Sequence, residues 1–325
     1  MINFEPLVSV GVPTFNRPNG LKKTLDCITK QTYSKLEIIV SDNCSSDSEV
    51  GNIIKTFMEA DSRIIYYKQI ENIGPYKNFN FVLGKASGEY FMWAADDDWW
   101  DSLFIESNVR LIQSNQECIA SFSNFIEVDQ DGKRIKSYPE HLSYLLNISQ
   151  QDTYKRIYNF ISQHEKYGKA NLLYSVIKLN ILKELNFNFR EGITGLDDLF
   201  VLSWLSKGNI AIVNNVLYKC TVGNTKYYSS VDKIIIVNLF LVKINVSIIR
   251  YTINGWCKYF ILHFPIINSC GLDYIFKIQL YLLVCKRLIL TLYDAIIFSL
   301  DTPIFNIFKY FRRKNPLVNF TKIIT

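Results

Sequence analysis

Three adjacent aspartates are the sharpest chemical feature of the sequence. Asp96, Asp97 and Asp98 directly follow an apolar segment and are followed at once by Trp99 and Trp100. Adjacent carboxylates repel one another, and holding them beside a buried strand is costly unless positive charge arrives. Carboxylate oxygens are the ligands that Mg²⁺ and Mn²⁺ prefer. The cluster therefore predicts a divalent cation that binds together with a phosphate-bearing ligand.

A second acidic pair, Asp197 and Asp198, lies about 100 residues further on and opens an apolar segment. We predict a helix over Asp198–Ser206, so the pair sits at a helix N-terminus. One interpretation is structural, because carboxylates there cap the helix and complement its dipole. The alternative is a general base, because a carboxylate can take a proton from a hydroxyl nucleophile.

Other phosphate-binding and hydrolytic motifs are absent from the sequence. It contains no G-x-x-x-x-G-K-[ST] loop, no G-x-G-x-x-G fingerprint and no G-x-S-x-G elbow. Its three histidines, His141, His164 and His263, are scattered, and its seven cysteines form no C-x-x-C pair. A zinc site or disulfide framework is not indicated, and the cysteine usage is typical of a reducing cytoplasm. If phosphate binds, a metal held by carboxylates is the expected anchor.

Short apolar strands alternate with amphipathic helices through the first half of the chain. Such alternation predicts right-handed crossovers and an α/β fold with a mostly parallel sheet. In chain order, the predicted strands and helices are Leu7–Val12, Leu21–Thr29, Leu36–Ser41, Val50–Met58, Ile64–Tyr67, Phe79–Lys85 and Tyr90–Ala95.

Polar segments follow these strands at residues 13–17, 42–47, 72–74 and 96–98. Each alone is typical of a turn or a helix cap. Because ligands of open parallel sheets bind outside the carboxyl ends of the strands, the four segments together predict one site.

The second half is less regular. We predict strands at Cys118–Phe125, Leu172–Ile177 and Ile210–Val216, a turn at 128–133, and helical structure from about Asp232. Within the helical part, apolar residues recur at 4-3-4-3-4 spacing, which indicates one helix face. That face either packs on the domain or lies on a membrane surface. Its members are Ile278, Leu282, Cys285, Ile289, Leu292 and Ile296.

Charge is distributed unevenly along the chain. The net charge is +6, yet residues 226–325 hold 13 Lys and Arg against 4 Asp and Glu, a net charge of +9. A basic tail dominated by Ile, Leu and Phe, with a basic cluster at 309–314, favours an anionic membrane surface over nucleic acid. The longest segment without a charged residue, Tyr259–Leu272, has 14 residues. A transmembrane helix needs about 20, and the N-terminal sequence is not that of a signal peptide. We therefore expect a cytoplasmic protein at the inner face of the membrane.

Five ordered motifs resemble the family 2 glycosyltransferases, whose fold is the Rossmann-like GT-A fold. The resemblance spans about residues 5–220 and implies a catalytic domain over 1–225. Its nucleotide-binding half would end near residue 125, and its acceptor half would follow over 126–225. The basic helical region 226–325 comes after it. The motifs are VSVGVPTFNRP, LEIIVSDNCSSD, ENIGPYKNFN, GEYFMWAADDDWW and LDDLFVLSW.

The resemblance implies inverting transfer of a sugar from a nucleoside-diphosphate sugar, most often a UDP-sugar. The acceptor would be a glycan hydroxyl, such as that of a lipid-linked oligosaccharide in surface-polysaccharide or O-antigen assembly. In such families the loop after the first strand lies against the nucleotide. In this chain that loop holds Pro13, Thr14, Phe15, Asn16 and Arg17.

Further nucleotide contacts follow from the same resemblance. Asp42, after the second strand, would face the base. Asn72 and Gly74 would line the nucleotide pocket, with Lys77 and Asn78 beside them.

The acidic residues receive roles from the resemblance as well. Asp96 and Asp97 would face the ribose and diphosphate, and Asp96 and Asp98 would bind Mn²⁺ or Mg²⁺ as an Asp-x-Asp motif. Many relatives read Leu-Asp-x-Asp-Asp, and this chain has Ala95 where their first aspartate stands. Of the later pair, Asp198 is the predicted base and Asp197 its neighbour.

Three alternatives remain from the sequence. A nucleotidyltransferase uses similar carboxylates, but the Gly-rich basic motif common near its N-terminus is missing. A catalytically silent nucleotide-sugar-binding module would keep the pocket without turnover. A nucleic-acid binder is disfavoured, because the basic residues lie in an aliphatic tail.

Overall fold

The computed structural model describes residues 5–135, 141–163, 168–185, 195–221 and 246–300, with side chains in the last range placed from 258 to 289. The first half contains four strands and three helices in alternation. They are β1 Val8–Thr14, α1 Pro18–Thr29, β2 Leu36–Asp42, α2 Ser48–Ala60, β3 Ile64–Lys68, α3 Pro75–Lys85 and β4 Tyr90–Trp93.

The second half adds more strands to the same sheet and further helices. In chain order these are β5 Trp99–Trp100, α4 Phe104–Ser114, β6 Cys118–Val128, α5 His141–Ile148, α6 Thr153–Ser162, a 3₁₀ helix Lys169–Tyr174, β7 Val176–Lys178, α7 Leu179–Leu185, α8 Leu196–Leu205 and β8 Asn209–Thr221. Two long helices follow, α9 Val246–Ser269 and α10 Tyr274–Leu300.

The described strands form one mixed sheet in the order β3-β2-β1-β4-β7-β6-β8-β5. Strands β3, β2, β1 and β4 pair in parallel, as do β6 and β8, and the remaining pairings are antiparallel. The predicted α/β class with a mostly parallel sheet flanked by helices is thus confirmed. Strands β1 and β4 are buried along their whole length, which explains their continuous apolar runs.

One predicted strand was wrong in part. The segment Leu172–Ile177 begins as the end of the 3₁₀ helix, and only its last two residues join the short strand β7. Leu172 and Leu173 are buried. A short apolar run fits a buried helical turn as well as a strand, so periodicity alone does not separate them.

The sheet brings the predicted polar loops to one edge. Thr14, the last residue of β1, pairs with Asp42, the last residue of β2. Gly11 of β1 pairs with Trp93 at the end of β4. The loops after β1, β2 and β4 therefore leave the sheet side by side, as expected for the carboxyl ends of parallel strands.

The C-terminal helices pack on the rest of the protein. Helix α9 packs against α8, and α10 packs against α9 and α6. The Tyr154 ring of α6 lies 4.8 Å from the Phe276 ring of α10. None of the helices in the described part of the chain has both the length and the apolar character to cross a bilayer.

The apolar stripe of α10 faces away from the protein over its described part. Ile278, Leu282, Cys285 and Ile289 are exposed, with Leu282 and Ile289 about two-thirds exposed (64% and 65%). The helix packs through Leu280, Leu283, Val284 and Arg287, which are buried. The prediction that the helix packs on the domain is thus confirmed, although the face that packs is not the predicted stripe. The side chains of Leu292 and Ile296 and the basic cluster 309–314 lie outside the described residues.

Candidate active site

The loop after β1 is joined to the loop after β2. The Asn16 backbone adopts a φ of 52°, in the left-handed region, and its amide N–H donates to Ser45 Oγ at 2.9 Å. The Asn16 side-chain oxygen accepts from the Ser46 amide at 3.0 Å. Pro13 and Thr14 are buried in the strand end, whereas Phe15 is 40% exposed beside them. These bonds join the β1 loop to the β2 loop at the sheet edge.

Asp42 lies beneath this pair of loops and is almost completely buried. Its carboxylate accepts from the Ser45 amide at 2.8 Å and from the Tyr66 hydroxyl at 3.2 Å. Burial and the neighbouring carboxylate raise the pKa of Tyr66 to about 12. Both Asp42 oxygens thus already accept from the protein, and base recognition by Asp42 stays a prediction.

An asparagine pair shapes the segment before α3. Asn43 Nδ2 donates to Asn72 Oδ1 at 2.9 Å, and the Gly74 amide donates to the same oxygen at 2.9 Å. Gly74 has a φ of 82°, which favours glycine. Lys77 in the first turn of α3 is exposed. Asn72, Gly74 and Lys77 lie in this segment and in the first turn of α3, and their contact with a nucleotide stays a prediction.

Asn78 makes a different kind of contact from its neighbours. It is 2% exposed, donates to the Ser41 carbonyl at 3.0 Å and accepts from Ser41 Oγ at 2.6 Å. These bonds fasten α3 to β2. A direct nucleotide contact by Asn78 stays a prediction, since its polar atoms are already engaged below the surface.

Arg17 bridges two of the three adjacent aspartates. Its Nη1 lies 3.1 Å from Asp96 Oδ1 and 2.7 Å from Asp97 Oδ2. Thr14 Oγ1 donates to the other Asp96 oxygen at 2.9 Å. Burial raises the pKa of Asp96 to about 6, although the Arg17 guanidinium opposes that shift. The Asp96 and Asp97 carboxylates thus share Arg17 as a cationic partner at the carboxyl-terminal edge of the sheet.

The Asp98 side chain is buried and contacts a different part of the protein. The Tyr218 hydroxyl donates to one carboxylate oxygen, and the Thr221 amide donates to the other at 2.8 Å. Burial, followed by the repulsion from Asp97, raises the pKa of Asp98 to about 7. Asp98 therefore fastens the acidic loop to β8, and its predicted place as a metal ligand stays a prediction.

Helix α1 runs very close to the acidic loop at Gly20. A methyl group on Gly20 would lie 2.1 Å from the Asp96 carbonyl oxygen. That separation is far below any real carbon–oxygen contact, so the backbone of the loop would have to move. Glycine is thus required at position 20 because the acidic loop is so close. Backbone conformation does not require it, since the φ of Gly20 is not in the left-handed region.

Replacing Gly20 by alanine should displace the acidic loop. We expect the free energy of unfolding to fall by about 1–3 kcal/mol, the cost typical of overpacking, together with loss of nucleotide affinity. Gly51→Ala is the matched control, because a methyl group there meets nothing within 4 Å and lies inside α2. Urea unfolding and nucleotide titration of both variants would check this. Equal stability and equal nucleotide affinity in the two variants would show that the acidic loop tolerates the added methyl group.

The second acidic pair sits in the first turn of α8. The residue before that helix is Gly195, with a φ of 69° and no side-chain cap. Asp197 and Asp198 therefore do not serve as the N-cap residue, although they do complement the helix dipole. Asp198 is buried, and its Oδ2 lies 3.8 Å from Lys169 Nζ and 3.4 Å from the Tyr259 hydroxyl.

Asp197 faces a different neighbourhood. It is half-buried, and burial raises the pKa of its carboxyl. Tyr174 lies within the electrostatic reach of both Asp98 and Asp197, and burial together with these charges raises its pKa well above the ordinary value. The Tyr174 ring lies 5.8 Å from the Tyr218 ring that contacts Asp98. The charges of both acidic groups thus act on the buried Tyr174 hydroxyl.

Several residues of this site were not predicted from the sequence. Their side chains give no local signal, because only the fold brings them near acids more than 20 residues away in the sequence. They are Lys169, Tyr174, Tyr218, Thr221 and Tyr259.

The side chains present suit a divalent cation that also binds the ligand. No cluster of three or more His, Cys, Asp or Glu side chains within the described ranges is arranged to hold a metal alone. Asp96 and Asp97 offer two hard oxygen donors, and Arg17 already marks the place as one that attracts positive charge. Mg²⁺ commonly takes one or two carboxylates and completes its shell with substrate phosphates and water. The donor set fits that arrangement, with Asp97, whose side chain is 42% exposed, the more accessible ligand.

Curated relatives share this part of the chain. The chain is 29% identical over 147 residues to a putative teichuronic acid biosynthesis glycosyltransferase, TuaG of Bacillus subtilis, which covers 44% of this chain and 58% of that protein. It is 35% identical over 134 residues to a GalNAc(5)-diNAcBac-PP-undecaprenol beta-1,3-glucosyltransferase of Campylobacter jejuni, covering 41% of this chain and 42% of that protein. The chain thus spans about half the length of these relatives.

Solved structures share the fold. Staphylococcus aureus TarS in complex with UDP-GlcNAc matches with a TM-score of 0.61 at 17% identity, over 85% of this chain and 70% of that one. The mannosyltransferase PcManGT of Pyrobaculum calidifontis, in complex with GDP-Man and Mn²⁺, matches with a TM-score of 0.52 at 16% identity, over 93% and 82%. At these identities the likeness concerns the fold, and it confirms the expected GT-A architecture.

The sequence profile of one family, Glycosyl transferase family 2, matches residues 9–179, just over half of the chain. That span contains β1 from its second residue, β2 to β4, the acidic cluster and the loops joined around it. It ends before α8, so the acidic pair Asp197–Asp198 lies beyond it. The order of the sequence motifs, the polar loops at the sheet edge and this match agree with one another. The chain belongs to the family 2 glycosyltransferases.

Proposed function

We propose that this protein transfers a sugar, with inversion, from a UDP-sugar to a hydroxyl group of a glycan acceptor. One observation carries the proposal. Asp96 and Asp97 meet Arg17 at the carboxyl ends of β1 and β4, and a second acidic pair opens α8, with Asp198 buried beside Lys169. The UDP-GlcNAc complex of TarS supports the choice of uridine.

The donor end of the site is the acidic cluster and its flanking loops. Asp96 and Asp97 would hold a divalent cation, which would supply positive charge to the leaving diphosphate. Arg17, at the same place, also offers positive charge to the phosphates. The Mn²⁺ in the PcManGT complex supports this assignment. The geometry favours Asp97 over Asp98 as the second ligand, because Asp98 is engaged by β8.

The acceptor end of the site is the first turn of α8. Asp198 accepts the proton of the acceptor hydroxyl while that oxygen bonds to the anomeric carbon. The bond from this carbon to the diphosphate breaks on the opposite face, so UDP leaves and the configuration inverts. The Lys169 ammonium 3.8 Å away favours the ionised carboxylate that this step needs.

Calorimetric titration with UDP tests the proposed donor site. We expect binding in the presence of Mn²⁺ and at least tenfold weaker binding without it. Slow hydrolysis of UDP-GlcNAc, UDP-glucose or UDP-galactose should accompany binding. Preference for GDP or dTDP would contradict the assignment of uridine. Binding without hydrolysis or transfer would favour the silent module, and formation of diphosphate would indicate a nucleotidyltransferase.

The acceptor is proposed to be lipid-linked, at the inner face of the cytoplasmic membrane, in surface-polysaccharide or O-antigen assembly. The Campylobacter relative is named for an undecaprenol-linked substrate. The exposed apolar side chains of α10, including Leu282 and Ile289, lie on the same helix as the exposed Lys286. Aliphatic side chains beside lysines are typical of helices that lie on anionic bilayers.

Co-sedimentation with vesicles containing anionic phospholipid would test this surface. We expect Leu282→Glu and Ile289→Glu each to lower partitioning about tenfold, which corresponds to the apolar area withdrawn from water. Ile70→Glu is the control, because Ile70 is fully exposed far along the chain from α10. Wild-type protein that remains in solution at low ionic strength would contradict membrane-surface association.

A further inference from the structure

Helix α9 reaches the second acidic pair through Tyr259. The Tyr259 ring is 1% exposed and packs on the backbone of Gly195, where a methyl group would lie 2.7 Å from the ring. Gly195 is the residue before α8, so the ring covers the start of the helix that carries Asp197 and Asp198. The His263 ring, one turn along α9, packs on the Tyr259 ring in a T-shaped arrangement with 4.7 Å between the ring centres. Helix α9 therefore packs against the start of the helix that carries the second acidic pair.

Two donors approach the same oxygen of Asp198 from different elements. The Tyr259 hydroxyl of α9 lies 3.4 Å from Asp198 Oδ2, and Lys169 Nζ of the 3₁₀ helix lies 3.8 Å from it. The ammonium is itself held by the Phe160 and Gln163 carbonyl oxygens at 3.4 and 3.2 Å. It also lies 4.8 Å from the centre of the Phe160 ring.

This arrangement has a physical consequence for the carboxylate. All three side chains are at most 4% exposed, so water screens their interactions little. A buried ammonium stabilises the ionised form of a neighbouring carboxylate. Two donors on one oxygen also fix the direction of the other. A carboxylate that accepts a proton must be ionised, and it must point toward the hydroxyl group that donates the proton.

We propose that Lys169 and Tyr259 are positioning residues that hold Asp198 ionised and oriented, which makes α9 a part of the active site. The proposal rests on the proposed glycosyl transfer, with Asp198 as its base. Neither residue touches the donor in this scheme. Their loss should therefore lower kcat and leave donor affinity unchanged.

Tyr259→Phe is the first test, because it removes one oxygen and keeps the buried ring. We expect kcat to fall about tenfold, the factor associated with one hydrogen bond to a charged group. The KM for the UDP-sugar and the affinity for UDP should change less than twofold. Tyr281→Phe is the matched control, since its hydroxyl contacts Asn268 between α9 and α10 and its loss should leave kcat unchanged.

Lys169→Arg and Lys169→Met form the second test. We expect the arginine variant to retain at least a tenth of kcat and the methionine variant to lose at least 100-fold. Because a lone buried carboxylate destabilises the fold, urea midpoints are measured alongside. Adding Asp198→Asn should restore the midpoint that Lys169→Met lowers. Lys183→Met, which removes an ammonium held by the Ala86 carbonyl, is the control.

A double-mutant cycle separates positioning from a merely structural role. Tyr259→Phe should cause no further loss of kcat when Asp198 is already asparagine. Full additivity of the two losses, or unchanged kcat in Tyr259→Phe, would overturn the proposal while the glycosyl transfer stands. A wild-type protein that binds no nucleotide sugar and transfers none would overturn the proposed function, and the positioning role with it.

Discussion

Asp198→Asn is expected to lower kcat by roughly 10²- to 10⁴-fold, the range typical of removing a general base. The amide cannot accept the acceptor's proton, yet it fills the same volume beside Lys169 and Tyr259. Affinity for UDP should change less than twofold, because the donor loops are on other elements. Steady-state transfer rates combined with calorimetric UDP titration would check both statements.

Asp197→Asn is the matched comparison, one residue away on the same helix turn. Its carboxyl is half-buried, burial raises its pKa, and asparagine keeps its size while removing its charge. We expect a smaller loss of kcat than for Asp198→Asn. A larger loss in Asp197→Asn would exchange the two roles, and unchanged kcat in Asp198→Asn would remove it as the base.

Asp97→Asn is expected to weaken Mn²⁺-dependent UDP binding by about 10- to 100-fold, as for loss of a charge-assisted contact. Asp96→Asn should act in the same direction, because Arg17 joins the two carboxylates. Asp98→Asn should leave UDP affinity within about threefold and mainly lower stability, because its contacts are with Tyr218 and Thr221.

Titrations of the three variants with UDP, with and without Mn²⁺, would distinguish the ligand pairs. A large loss in Asp98→Asn with little change in Asp97→Asn would restore the Asp96 and Asp98 pair expected from the Asp-x-Asp spacing. The pH dependence gives an independent check. Since metal binding needs the ionised carboxylate and the pKa of Asp96 is about 6, affinity in the wild type should fall as pH drops through 6.

The sheet was largely predictable, because strands buried on both faces appear as continuous apolar runs. The runs Leu7–Val12 and Leu36–Ser41 correspond to β1 and β2 within two residues at either end. The acidic cluster was also found, since three charges next to such a run conflict with burial. Its approach to Arg17 followed from the topology, because parallel strands end at one edge.

The different contacts of the three aspartates in the acidic cluster were not predictable from the sequence. Asp98 is distinguished from Asp97 by Tyr218, which lies 120 residues further along the chain. Spacing within the motif favoured Asp96 and Asp98, because it carries no information about the partners that engage Asp98. The short strand β5 had no detectable pattern, since two residues cannot show a period. The contacts of Asp198 with Lys169 and Tyr259 were not predictable for the same reason, because these partners are also distant in the sequence.

The contact between Tyr259 and Asp198 joins residues 61 positions apart. Chains fold as they are made, from the N-terminus, at roughly 5–20 residues per second. The loops after β1, β2 and β4 can thus assemble while α9 is still being synthesised. A nascent or prematurely terminated chain would bind nucleotide before it could direct a proton acceptor. During synthesis, therefore, recognition of the donor would precede the ability to transfer it.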